Sequence, residues 1–185
     1  MKYSLTWDLE SIFPGGSHST ELQEKIKELD SAIQEYAQKN DAWQPESDQP
    51  TYAVFQELLQ KSEKIVNGLS QAGSFINAVL STDVTNSHAP IVRNQISQLS
   101  SRYGIVQTSI VKKLAAISDE DFANLLKQPA FEALSIALTE TREKGARLLS
   151  EAEENVLSKV KLDGFHAWSN HYNTLVSYIK IPVTD

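Results

Sequence analysis

The sequence contains no cysteine, which excludes disulfides, thiolate metal sites and a cysteine nucleophile and agrees with a reducing compartment. It also lacks a long apolar run. No window approaches the roughly 18 uninterrupted apolar residues of a membrane span, and the opening Met1-Lys2-Tyr3-Ser4 has no apolar signal-peptide core. These absences lead to the expectation of a cytoplasmic protein with no membrane partner. A third absence is regional. No Asp or Glu occurs between Val84 and Ser118, where Arg93, Arg102, Lys112 and Lys113 lie, although the chain carries a net charge of −7 and its first 50 residues hold ten acids against four bases. The overall acidity argues against a nucleic-acid partner, because a phosphate backbone is bound by dense basic surface.

Motifs with a fixed chemical geometry are missing too. There is no H-E-x-x-H zinc helix, no G-x-S-x-G nucleophile elbow and no G-x-x-x-x-G-K-[ST] phosphate loop. Only His166 and His171 are close in sequence, and on a helix a separation of five turns the second ring about 140° away, so they should not share a metal. His18 and His88 read as loop and cap residues. Glu151, Glu153 and Glu154 sit at a helix start, where a carboxylate favours the dipole. The residues therefore name no catalytic side chain, no metal ligand and no cofactor for this chain.

What is present is helical periodicity. A chain of 185 residues with 41% hydrophobic content can bury one substantial core, and we read 1–185 as a single all-α domain. Residues 1–18 form a leader whose aromatic Trp7 and Phe13 pack on a core and whose Pro14-Gly15-Gly16 closes a turn. Ser19 or Thr20 caps a first helix over 19–43, with Leu22, Ile26, Leu29, Ile33 and Tyr36 on one face. The polar stretch 44–50, with prolines at Pro45 and Pro50, is a linker. Residues 51–117 read as two long antiparallel helices. Gly68 and Gly73 in the first of them each cost about 1 kcal/mol against alanine and are expected where another helix approaches closely. The second has Asn86 or Ser87 as cap, Pro90 in its first turn, and Ile91, Ile96, Leu99, Ile105, Val106, Ile110, Val111 and Leu114 as its apolar stripe.

Shorter helices follow over 118–178. Ser118 caps the first of these ahead of Asp119, Glu120 and Asp121. Pro129 opens a turn leading to Phe131, Leu134, Ile136 and Leu138. Ser150 and Glu153 form a capping box whose helix turns Val156, Leu157 and Val160 inward until Asp163-Gly164 stops it. A last helix over 165–178 carries Trp168 and Tyr172 one turn apart, and 179–185 is extended around Pro182. The fold class is thus an antiparallel bundle of long helices with shorter C-terminal ones. Four residues are candidates for a cleft wall or domain interface: Arg93 and Arg102 on the acid-free helix, and the aromatic pair Trp168 and Tyr172.

Trp7-Asp8-Leu9 with Ile12-Phe13, the long helix pair, and Arg142, Ala146, Leu148-Leu149-Ser150, Glu153-Glu154, Leu157-Ser158, Gly164, Ala167-Trp168, Tyr172 and Leu175 in that order resemble the N-terminal region of bacterial oligoendopeptidase F proteins. These are thimet-oligopeptidase-like zinc metallopeptidases. The resemblance implies a two-part helical enzyme whose zinc is held by H-E-x-x-H and a later glutamate, with the motif's glutamate activating water to attack a short peptide. The motif does not occur in this sequence, so no catalytic or zinc-binding residue carries over and the chain alone should not hydrolyse peptides.

The resemblance implies further that this domain forms part of a substrate-cleft wall, with the catalytic domain and a peptide as partners and zinc in the parent enzyme. A stand-alone helical interaction module lacking the catalytic half is the alternative. In either case uncovered apolar surface should favour self-association.

Overall fold

A computed structural model describes residues 8–45, 49–83, 85–150 and, beyond these, 153, 156–157, 160–161, 164, 167–177 and 179. Its contacts divide the chain into two compact units, Met1–Ala146 and Arg147–Asp185. The described residues are helical or irregular with no strand among them, as the all-α reading expects. Trp7, His166 and the extended end around Pro182 lie outside the described residues.

In the first unit the leader is two short helical turns, Leu9–Ser11 and Gly16–His18. Ser19 then caps α1 (Thr20–Ala42) by accepting from the Leu22 amide at 3.3 Å. The second helix, α2 (Gln49–Thr82), begins two residues earlier than the proline pattern suggests. Pro50 falls in its first turn, where the missing N–H has no helical partner to lose. In front of α3 (Ala89–Ala116), the Asn86 side chain accepts from the amides of His88 and Ala89 at 3.1 and 2.9 Å. Ser118 caps α4 (Asp119–Leu126) through the Asp121 amide at 3.1 Å, and α5 spans Ser135–Ala146.

Cross-helix pairs fix the directions. Lys39 pairs with Glu57 and Lys61 with Glu35, so α1 and α2 run antiparallel. Ser62 meets Tyr103 while Gly73 faces Ile96, so α2 and α3 do too. The interior of this three-helix bundle includes Leu22, Ile33, Phe55, Leu58, Ile65, Ile76, Val92 and Leu114, all essentially inaccessible. At one end Trp43 stacks on Phe55, and Phe131 closes over both Phe55 and Tyr52.

Two close approaches depend on glycine. A Cβ at Gly68 would lie 2.7 Å from a Leu29 methyl, so α1 crosses α2 there as the sequence suggests. At Gly145 it would lie 2.5 Å from the Val111 carbonyl oxygen, which seats α5 against the backbone of α3. Gly73 is different, since its nearest neighbour would be a methyl of Ile96 at 4.0 Å and no close approach explains it.

Polar side chains pin the helices at defined heights. The Gln107 amide donates to Tyr36 Oη at 2.9 Å, to Ser62 Oγ at 2.8 Å and to the Tyr103 hydroxyl, joining all three long helices. Lys113 on α3 donates to the carbonyl oxygens of Asn40 and, at 2.7 Å, Trp43, satisfying the end of α1. Its partial burial pulls the ammonium below the ordinary lysine range, with Asp41 opposing that shift.

One expectation about an inward face is corrected here. Ile91 and Ile105 of α3 are exposed, as are Leu134 and Ile136, the latter at 77%. An apolar stripe wider than the groove it enters leaves its flanking members outside.

In the second unit, α6 covers Ala167–Ser177, and Glu153, Val156, Leu157, Val160 and Lys161 have helical backbone. The capping box is present. Glu153 Oε2 accepts from the Ser150 amide at 2.9 Å and hydroxyl at 2.6 Å, and the Glu153 amide returns to Ser150 Oγ at 3.4 Å. The expected inward face is not, because Val156, Leu157 and Val160 are exposed. Capping depends on neighbours three residues away, whereas an inward face needs a surface to enter, and a segment this short encloses little of its own.

Candidate functional site

The four predicted residues fall into three situations. Arg102 is committed to the bundle's surface, where it forms an exposed ion pair with Asp30 of α1. Arg93 is exposed, nine residues earlier on α3 and hence about 13.5 Å away along the axis and half a turn round it. The two guanidinium groups therefore share no face. Lys113 is likewise spent on the end of α1, so the acid-free stretch does not form one basic patch. Its missing acids are on the facing helix, as Asp30 shows.

Trp168 and Tyr172 do share a face. They lie one turn apart on α6, 72% and 67% exposed, with the His171 ring edge-on to Trp168 at 6.2 Å. Leu175 continues the same line three residues further on and is exposed as well, as is Ile179 beyond the end of the helix. The helix thus presents a continuous apolar stripe with aromatic residues at its start. Surface of this kind marks an interface more often than a ligand pocket.

Catalytic chemistry does not assemble among the described residues. No group of three or more His, Asp or Glu side chains there can hold a metal ion. The carboxylate of Glu35 is held below the usual range by the hydrogen bond and charge of Lys61, which suits an ion pair and not a proton-transfer group. A shallow groove of about 750 Å³ between α1 and α2 has Leu29, Ile65 and Gly68 in its lining, flanked by Lys25, Glu28 and Lys61, with no nucleophile and base in contact.

A smaller hollow of about 420 Å³ is lined by His18, Asp83, Asn86, His88 and Ile91. There the two imidazoles lie flat on each other, centroids 4.1 Å apart and planes 15° from parallel, an arrangement that does not converge on one metal. Sequence reading missed this pair because 70 positions separate its members and neither belongs to a motif.

Residues 113–180 match the family model described as Oligopeptidase F, an N-terminal domain. That stretch of the chain is similar to the N-terminal domain of oligoendopeptidase F proteins. The oligoendopeptidase F match begins in the last turn of α3 and takes in α4, α5 and α6, including the capping box and the aromatic pair. No curated protein and no solved structure matches the chain.

Zinc chemistry, which that similarity implies, does not fit the residues described here. The sequence lacks H-E-x-x-H, and the two histidines that the fold brings together stack face to face and do not aim their nitrogens at a common point.

Proposed function

We propose that this chain serves an oligoendopeptidase F-type enzyme as its non-catalytic helical domain, contributing part of the wall of a cleft that admits short peptides. The family match over 113–180 is the observation that carries this reading, and the sequence agrees by supplying none of the zinc-binding motif. The rigid three-helix unit suits a wall. The exposed stripe of Trp168, Tyr172 and Leu175 suits a surface that a catalytic domain covers. On this reading the zinc, the activated water and the attacked peptide all belong to the catalytic domain, and the protein is cytoplasmic. Among the described residues no helix is long and apolar enough to cross a membrane.

The test pairs this chain with a separately expressed oligoendopeptidase F catalytic domain. The chain alone is expected to bind no stoichiometric zinc and cleave no short peptide. Mixed with the catalytic domain it should raise peptide hydrolysis, and Trp168→Ala with Tyr172→Ala should weaken that rise by roughly tenfold or more, as aromatic interface anchors do. Zinc-dependent cleavage by the chain alone, or stimulation indifferent to both substitutions, overturns the proposal.

A further inference from the structure

The groove between α1 and α2 has a floor and a rim of different chemistry. Leu29 and Ile65 border the floor from the core, Ala32 is half-buried beside them, and Gly68 contributes backbone alone. The floor is therefore apolar, and the volume of about 750 Å³ falls within the range of sites that hold small ligands. On the α2 side Gln60, Lys64, Asn67 and Gln71 line it at spacings of four, three and four, which sets them in one exposed row down the helix. Three of the four are carboxamides. A carboxamide donates and accepts at once, as a peptide group does.

The charges around the groove cancel in pairs except for one. Lys25 is paired with Glu28 at 3.0 Å, Lys61 with Glu35 at 2.9 Å, and Glu57 with Lys39. Lys64 has no partner among the described residues. The groove thus complements one anionic group, held beside an apolar surface. From Lys64 to Gln71 the row runs about 10.5 Å along α2, the reach of about three extended residues. An acyl chain ending in a carboxylate would use Lys64 and the floor but none of the carboxamides; a peptide uses all of them.

We propose that this groove binds the carboxyl end of a short peptide, with the terminal carboxylate on Lys64, an apolar last side chain over Leu29 and Ile65, and the two preceding residues along Asn67 and Gln71. It binds without cleaving, because no nucleophile and base meet in its lining. The site belongs to the first unit alone and stands apart from the cleft wall proposed above, so it is testable with no catalytic domain present.

Titration of the full chain with the tripeptide alanyl-alanyl-leucine, followed through the backbone amide resonances of Ile65 and Gly68, tests the site. Saturable shifts are expected with the free acid. The C-terminal amide of the same peptide should bind roughly tenfold more weakly, because the charge-assisted hydrogen bond is lost. Lys64→Gln should weaken the free acid by the same factor and leave the amide form unchanged, whereas Lys64→Arg should retain binding. Gln71→Ala should weaken both forms roughly two- to threefold. Both positions are exposed on a helix, so the substitutions leave the fold intact. Absence of saturable shifts, equal binding of acid and amide, octanoate binding as tightly as the tripeptide, or indifference to Lys64→Gln overturns the proposal.

Discussion

In the unit from Met1 to Ala146, Leu58, Ile76 and Phe131 are fully enclosed; in the unit from Arg147 to Asp185, Val156, Val160, Trp168 and Leu175 are each more exposed than covered. Both stretches carry caps and apolar residues at helical spacing, so the difference does not lie in local signals. It lies in supply. The first unit has three long helices whose stripes face one another. The second has one short capped stretch and α6, and every apolar residue buried among the described ones lies at or before Leu138. Amphipathic spacing shows that a face exists, not what it meets.

The sharpest way to break this contrast is to truncate one aromatic residue in each unit. Phe131→Ala removes a fully buried ring that touches Phe55 and Tyr52 and is expected to cost about 3–5 kcal/mol in urea denaturation. Trp168→Ala, in the same assay on the same chain, should stay within about 0.5 kcal/mol because the ring is 72% exposed. Equal losses would mean that the two apolar surfaces are not different in kind.

A smaller effect separates the two units by glycine. Gly145→Ala drives a methyl to 2.5 Å from the Val111 carbonyl and 2.8 Å from Ala115 Cβ, so α5 must move off α3. The gain in helix propensity, about 1 kcal/mol, does not offset the backbone clash, and we expect a net loss of about 1–3 kcal/mol. At Gly164 the same methyl would meet Val160 at 3.8 Å, an ordinary contact, and thermal midpoints should barely change. A silent Gly145→Ala would show that α5 is not seated where the backbone contact places it.

Much of the first unit was legible in the sequence, because its features are local. Ser19 and Ser118 read as caps from their own neighbours, and Pro90 reads as a first-turn residue from ring chemistry alone, whereas Pro50, read as linker, lies inside the first turn of α2. Pairings across helices were not legible. Arg102 looked like a free cation because Asp30 is 72 positions away, Gly145 gave no sign of the helix it admits, and the His18–His88 contact joins two residues that each read as loop. For the candidate interface, spacing put Trp168 and Tyr172 on one face correctly, while their exposure depended on whatever else is near that face, which spacing does not encode.

The smallest expected effect tests whether the interior of the first unit behaves as the dry medium its burial implies. Tyr36 is 1% exposed, and burial pushes its phenol well above the usual tyrosine value, against the opposing hydrogen bonds of Ser62 and Gln107. Because the folded protein keeps this proton when the unfolded chain has released it, the contribution is fully present below about pH 10 and is lost as pH rises beyond that. Tyr36→Phe removes the titration along with one hydrogen bond to Gln107, so at neutral pH it should cost about 0.5–1.5 kcal/mol. Above about pH 10 the unaltered protein should lose stability more steeply than Tyr36→Phe, and the gap between their denaturation midpoints should narrow. A gap that stays constant from neutral to alkaline pH would place the Tyr36 hydroxyl in contact with solvent, and the contrast between an enclosed first unit and an open second one would weaken at its centre.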